Sequence, residues 1–222
     1  MTEELREFLE PAPGIESRHP AVMDLAARVT RGATDPWERA GALFEYTRDT
    51  VRYNLYQPFW RLEDYLATTV LERGKGYCAH KSCLLTALAR AAGIPARLGF
   101  ADLVNHLLPP AVQQFCYDGL IYRHCFVEWR LDGRWWKATP SFDARLTAEQ
   151  GWRLVEFRPQ WDLLLPATDQ AGRPHIEYVR QHGWRTGFPL KEVLAAWDRD
   201  YGSGWALQYR SQVRGQATRD WS

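Results

Sequence analysis

The chain reads as an α+β protein, with helices in the first half and sheet in the second, on three observations. Capped segments with apolar residues at helical spacing run up to Gly93. From Ala96 the pattern becomes extended, and Asp132-Gly133 between two such runs is a strong hairpin signal. Helices followed by consecutive strands, without strand–helix alternation, point away from a parallel sheet.

The first helix is set by Pro20, which suits the first helical position. Val22, Leu25, Ala26 and Val29 then recur at helical spacing and Gly32 suits the C-terminal cap, predicting a helix to about Arg31. In the second, Asp35, Pro36 and Glu38 supply an N-cap, a first-turn proline and a capping acid, and Ala40, Leu43, Phe44 and Thr47 line one face. Leu66 to Glu72 reads as helix, ending at Arg73-Gly74. Gly76 breaks the chain, and a further helix starts at Cys78 with Leu84, Leu85, Leu88 and Ala92 on its apolar face; Gly93 and Pro95 end it.

Ala96 to Asp102 is predicted as a strand, and Ile121 to Leu131 and Arg134 to Thr139 as the two arms of the hairpin. A period of two places Tyr122, His124, Phe126 and Glu128 on one face of the first arm and Arg123, Cys125, Val127 and Trp129 on the other. Between the strands, Asn105 to Gly119 is a long connection of the kind that serves as a lid or specificity loop. His175 to Arg180 reads as a further strand and Pro189 to Tyr201 as a helix. Beyond Gly202 the composition shows no pattern, so the expected organisation is one domain over 1–201 and a loosely ordered tail over 202–222.

A chain of 222 residues with 45% apolar composition can bury a sizeable core. Its 28 basic and 27 acidic residues leave a formal charge of +1, which gives no field to attract nucleic acid or an anionic membrane. Met1 to Glu10 carries four glutamates and no apolar stretch, so the sequence predicts a cytoplasmic protein. Cys78, Cys83, Cys116 and Cys125 are then expected as free thiols. Cys-x-His-x-x-Cys at 78–83 is not a usual zinc spacing, and no acidic loop resembles a calcium site, so neither a metal nor a cofactor is expected.

A cysteine at a helix start gains thiolate character from the free N–H groups there. Cys78, then His124 on a later strand, then Asp143 past a hairpin is the order that a Cys-His-acid triad needs: nucleophile, proton acceptor and an orienting group. Cys83, within the helix, and Cys125, on the opposite strand face from His124, read as packing residues. His106 in the long connection is a candidate for touching substrate. Tyr53, Tyr56, Phe59 and Trp60 offer either a cleft wall with an oxyanion donor or an ordinary aromatic core. No partner is assigned to His80 or His175.

Gly74-Lys75-Gly76-Tyr77-Cys78, the following Lys81-Ser82-Cys83-Leu84-Leu85, and Ala91 to Arg97 resemble the nucleophile segment of the transglutaminase-like superfamily. His124-Cys125-Phe126-Val127-Glu128-Trp129 and Asp132-Gly133-Arg134-Trp135-Trp136 resemble its histidine strand and hairpin. The similarity is greatest to stand-alone bacterial transglutaminase-like cysteine proteases, through Lys137 to Asp143, and spans roughly Pro20 to Tyr201.

The resemblance implies a papain-like core in which the nucleophile helix packs on an antiparallel sheet. Cys78 takes the nucleophile's role and His124 the base's. Most of the superfamily has Asp-Pro-Thr where this chain has Thr139-Pro140-Ser141, 139 − 124 = 15 residues past the histidine. Thr139 has no charge to offer an imidazolium, so Asp143, at 143 − 124 = 19, is favoured as the third member. The expected chemistry is acyl transfer through a thioester, on a peptide, protein or small amide substrate. Hydrolysis comes first; an amine acceptor, as in a transglutaminase or amide synthase, or a non-catalytic peptide-binding module are the alternatives.

Overall fold

The computed structural model describes residues 3–108, 110–113, 116 and 119–216. Helices α1 (Pro20–Val29) and α2 (Pro36–Thr50) follow a short 3-10 turn, Glu3–Phe8. They lead into strand β1 (Arg52–Tyr53), a second 3-10 turn (Leu62–Tyr65), α3 (Ala67–Arg73), β2 (Lys75–Gly76) and α4 (Cys78–Ala91). Next come β3 (Ala96–Asn105), α5 (Pro110–Gln113), β4 (Leu120–Leu131), β5 (Arg134–Ala138) and α6 (Ala144–Gln150). Strand β6 (Ile176–Arg185), α7 (Leu190–Asp200) and α8 (Trp205–Gln216) complete the described chain.

The local signals act as their chemistry dictates. Asp35 accepts from the N–H groups of Trp37 and Glu38, while the Glu38 carboxylate reaches back to Thr34. Asp132 and Gly133 both adopt positive φ, 49° and 74°, the type I′ geometry that matches the twist of β4 and β5.

The main sheet has the order β5-β4-β3-β6, antiparallel throughout, and α4 packs on it. Residues 78 to 90 of α4 are all buried, so this helix is surrounded on every side. Most of its polar side chains are answered by backbone; the Thr86 hydroxyl has no partner among the described residues. Lys81 Nζ donates to the carbonyls of Arg48 (2.7 Å) and Val51, and Ser82 Oγ to that of Cys125 (3.0 Å). Arg90 donates to the carbonyls of Ala96, Glu10 and Thr186.

Two expectations give way. The region after Gly202, expected to be a loose tail, forms α8 up to Gln216; Tyr209 and Val213 are buried and Trp205 packs against the core. The stripe Trp205, Tyr209, Val213, spaced by four, drives this docking and outweighs the polar composition around it. Residues 217–222 of that expected tail lie outside the described residues. The strict alternation along β4 also fails. Ala101 pairs with His124 but Leu103 with Ile121, so three steps on β4 oppose two on β3. This is a bulge, and it makes Ile121 rather than Tyr122 share the face of His124.

Gly99 on β3 lies against Phe126 of β4, where an added Cβ would come within 2.3 Å of the ring. Phe126 is itself buried. Gly99→Ala is accordingly expected to destabilise the fold by about 1–3 kcal/mol, and thermal unfolding of the variant against the unaltered chain measures it.

Candidate active site

Cys78 is the first residue of α4, where the N–H groups of the opening turn have no partner within the helix. His80 builds this helix start. Its Nδ1 accepts the Tyr77 N–H at 3.4 Å and its Nε2 donates to the Pro58 carbonyl at 2.9 Å, which fixes the neutral tautomer. Its ring stacks on Tyr65, and its Cβ sits where a Cβ on Gly76 would come within 2.7 Å. Glycine at 76 is thus a demand of close approach. The missed signal for His80 was its place three residues after the helix cap, where a side chain can reach back.

The Cys78 sulfur lies beside the backbone N–H of Cys125 as well as that of Ala79. Since Ser82, one turn further along α4, holds the Cys125 carbonyl, residues 78 and 82 clasp the peptide that follows His124. Cys78 and His124 line one cavity, together with Tyr53, Ser141 and Phe142. His124 Nε2 and Ser141 Oγ are both buried there, and neither has a hydrogen-bond partner among the described residues.

The bulge aims the histidine. Arg123 has φ of 58°, a conformation uncommon for a side-chain-bearing residue. Its N–H is held by Asp102 Oδ1 at 3.0 Å, and Asp102 Oδ2 lies 2.7 Å from His182 Nε2. Tyr122, the other residue of the bulge, gives its N–H to the Tyr201 hydroxyl (2.9 Å) and its carbonyl to Trp197 Nε1 (2.9 Å). Side chains from β3 (Asp102), α7 (Trp197) and the residue that caps α7 (Tyr201) thus replace the ladder bonds that the bulge removes.

Asp143 sits elsewhere. As N-cap of α6 it accepts the Leu146 N–H on Oδ1 (2.9 Å), and its Oδ2 accepts the Tyr53 N–H (2.8 Å). It also interacts electrostatically with buried Lys81, and it lines a separate depression with Arg52 and Asn54. Both oxygens are engaged by backbone, and the residues that this segment presents to the cavity are Ser141 and Phe142. Thr139 is buried but does not line the cavity. The expected order along the chain thus brings Cys78 and His124 together and leaves the acid outside the cavity.

Other candidates separate in the same way. His106 is exposed and pairs with Glu177 outside this cavity. Of the four upstream aromatics, Tyr53 lines the cavity, whereas Phe59 packs behind it against Trp197 and Tyr209. Cys83 and Cys125 are fully buried, and Cys116 lines the cavity wall. Among the described residues no group of three or more His, Cys, Asp or Glu side chains is arranged to hold a metal.

Burial decides the protonation of the pair. It pushes the Cys78 thiol up to about 11, against the pull of the N–H groups of Cys125, Ala79 and Cys78 itself. From a starting value of 9.0 that is about 3 kcal/mol against the thiolate, more than the roughly 0.3–1 kcal/mol a helix terminus ordinarily offers an anion. Burial likewise pulls His124 down to about 3. The resting pair is therefore thiol and neutral imidazole, not the thiolate the helix start alone suggests.

His80, at about 3, and His175, at about 4 between the rings of Phe142 and Trp152, are kept neutral by the same desolvation. All three pKa values are depressed, so the unfolded chain takes up protons below about pH 6.5 while the folded chain does not. Stability is expected to hold above that pH. It is then lost as the pH falls toward about 4, with a slope approaching about 4 kcal/mol per unit from three such groups. Urea unfolding at pH 7, 6 and 5 measures this slope; equal stabilities would contradict it.

The described residues contain no helix long and apolar enough to cross a membrane. In sequence, residues 23–140 match the model of the transglutaminase-like superfamily. No curated protein matches the chain. A solved structure of similar fold is a protein from Cytophaga hutchinsonii provisionally assigned as a cysteine protease, with TM-score 0.51 and 18% identity. The match covers 83% of this chain and 56% of that one. The periplasmic domain of TgpA from Pseudomonas aeruginosa matches at TM-score 0.46 and 22% identity, over 63% of this chain and 48% of that one. The chain therefore spans about half the length of these structures. With the family model covering more than half of its residues, from α1 through the hairpin, the chain belongs to the transglutaminase-like superfamily.

Proposed function

We propose that the protein is a cysteine-dependent acyl-transfer enzyme acting on amide substrates, with water as the acceptor. The observation that carries this reading is the shared cavity: a cysteine at a helix start and a histidine whose Nε2 is buried and unpartnered face the same enclosed space. An unpartnered buried polar atom costs stability, and a reacting group that docks only with substrate accounts for its being left so.

The chemistry follows from the neutral resting pair. As the Cys78 sulfur attacks the substrate carbonyl, His124 takes the thiol proton, so no free thiolate is required in a site that disfavours it. In this reading the Cys78 N–H, which has no partner within the helix, donates to the developing oxyanion. The imidazolium returns its proton to the leaving amine and a thioester remains on Cys78. Water, deprotonated by His124, then resolves the thioester to a carboxylic acid. With Asp143 engaged at the α6 cap, its part is that of a positioning residue: it holds Tyr53 on the cavity wall and faces Lys81 behind the nucleophile helix.

Incubation with N-acyl amino-acid p-nitrophenyl esters, followed by intact-mass measurement, is expected to show a thioester on Cys78. Cys78→Ala should abolish the adduct, and His124→Ala should slow its formation by about 10²–10⁴-fold. Ester cleavage that persists in Cys78→Ala would overturn the reading. Added amines that capture the acyl group faster than water would replace the hydrolase by a transferase. The reading as a binding module without chemistry draws on the neutral thiol and predicts no adduct at all.

A second expectation concerns pH. With the thiol held at about 11, iodoacetamide should alkylate Cys78 in the resting protein about a hundredfold more slowly at pH 8 than an exposed cysteine, by the two-unit difference in thiolate fraction. Peptide mass spectrometry across pH reads this directly, and rapid alkylation at pH 7 would contradict it.

A further inference from the structure

The cavity that holds Cys78 and His124 is walled by Leu103, Phe142, Trp197, Tyr201, Trp205 and Tyr209. The last four come from α7 and α8, beyond the stretch that matches the family model. Its free space, open mouth included, is about 760 Å³.

The polar tips of these walls are turned onto the protein. The Tyr209 hydroxyl donates to the Leu55 carbonyl at 2.7 Å, and the Tyr201 hydroxyl receives the Tyr122 N–H. Trp197 Nε1 is bound to the Tyr122 carbonyl, and the Tyr77 hydroxyl to that of Tyr65 at 2.8 Å. The one cation on the wall among the described residues, Arg123, has its guanidinium against Asp102 and His182, which offset its charge, while its Nε has no hydrogen-bond partner there. Among the described residues, the buried lining atoms without a hydrogen-bond partner are His124 Nε2 and Ser141 Oγ beside Cys78, and Arg123 Nε next to the histidine. The result is a space with a polar floor and apolar walls.

We infer that this protein selects acyl donors whose side chain is aromatic or large and aliphatic, and discriminates against glutamine and charged side chains. The inference rests on the acyl-transfer reading for its site and adds the substrate class. An apolar side chain entering the cavity loses water and gains ring contacts. A carboxamide, ammonium or carboxylate entering between these rings loses water and finds the polar tips of Trp197, Tyr201 and Tyr209 already engaged. The rings of Trp205 and Tyr209, stacked 5.0 Å apart, make α8 the specificity-determining element.

The test separates binding from chemistry. In the full-length Cys78→Ala protein, calorimetry is run with the N-acetyl amides of phenylalanine, leucine, glutamine, lysine and glutamate. The apolar pair is expected to bind at least tenfold more tightly than the polar three. Trp205→Ala in the same background should remove most of that preference while leaving glutamine amide unchanged; Tyr209→Leu, which keeps an apolar wall, should preserve it. Equal or tighter binding of the polar amides, or no binding of any, would overturn the inference. In the unaltered protein, thioester formation from glutamine and phenylalanine esters at equal rates would sink the specificity and leave acyl transfer standing. A clear apolar binding preference with no thioester from any ester would do the reverse.

Discussion

The structure depends on a single helix being buried on all sides. Wrapping α4 completely puts a lysine, a serine, a histidine and an arginine where water cannot reach them. Each must then find its hydrogen bonds in the surrounding chain. Lys81 collects the end of α2, Ser82 the histidine strand, His80 the loop at Pro58, and Arg90 the N-terminal segment, the start of β3 and the end of β6. These are contacts of high directionality from one rigid rod to segments far apart in sequence. They set where Cys78 stands relative to everything else, because it is the first residue of that rod.

The histidine is positioned by a different device. Removing one step of ladder pairing from β4 leaves the Tyr122 and Arg123 backbone groups without sheet partners, and the chain answers them with Asp102, Trp197 and Tyr201. The same side chains of α7 that complete the bulge also wall the cavity. Aiming the imidazole and shaping the pocket are therefore one construction. A change in how α7 docks would alter both, which is why the C-terminal helices belong to the cavity although Cys78 and His124 come from elsewhere.

Enclosure carries an electrostatic consequence. Burial favours the neutral forms of Cys78 and His124 more strongly than the helix start favours a thiolate. In the proposed reaction such a pair stays neutral until a carbonyl arrives to accept the electron pair as the proton moves. The same desolvation holds His80 and His175 neutral, so the conditions that keep the site dry also make the fold sensitive to acid.

Much of this was legible in the residues. Proline and aspartate at helix starts, glycine after helix ends, Asp132-Gly133 in the hairpin and the glycines before Cys78 determine local backbone geometry through sterics and nearby hydrogen bonds, which a short window of sequence contains. The family to which the chain belongs was carried by the same local blocks. Tertiary structure alone decided the rest. The bulge at Arg123 exists because β3 and α7 supply partners from distant sequence, so period-two reasoning placed Tyr122 on the wrong face. Asp143 looked free to orient an imidazole until the fold brought the N–H groups of Tyr53 and Leu146 to its two oxygens. Among its described residues helix α8 buries Tyr209 and Val213 and packs Trp205 on the core, a stripe too short to stand out by composition, yet enough once an aromatic floor of Phe59 and Trp197 is waiting for it. Local geometry is set by neighbours along the chain, whereas burial, and with it charge state and hydrogen-bond partner, is set by neighbours in space.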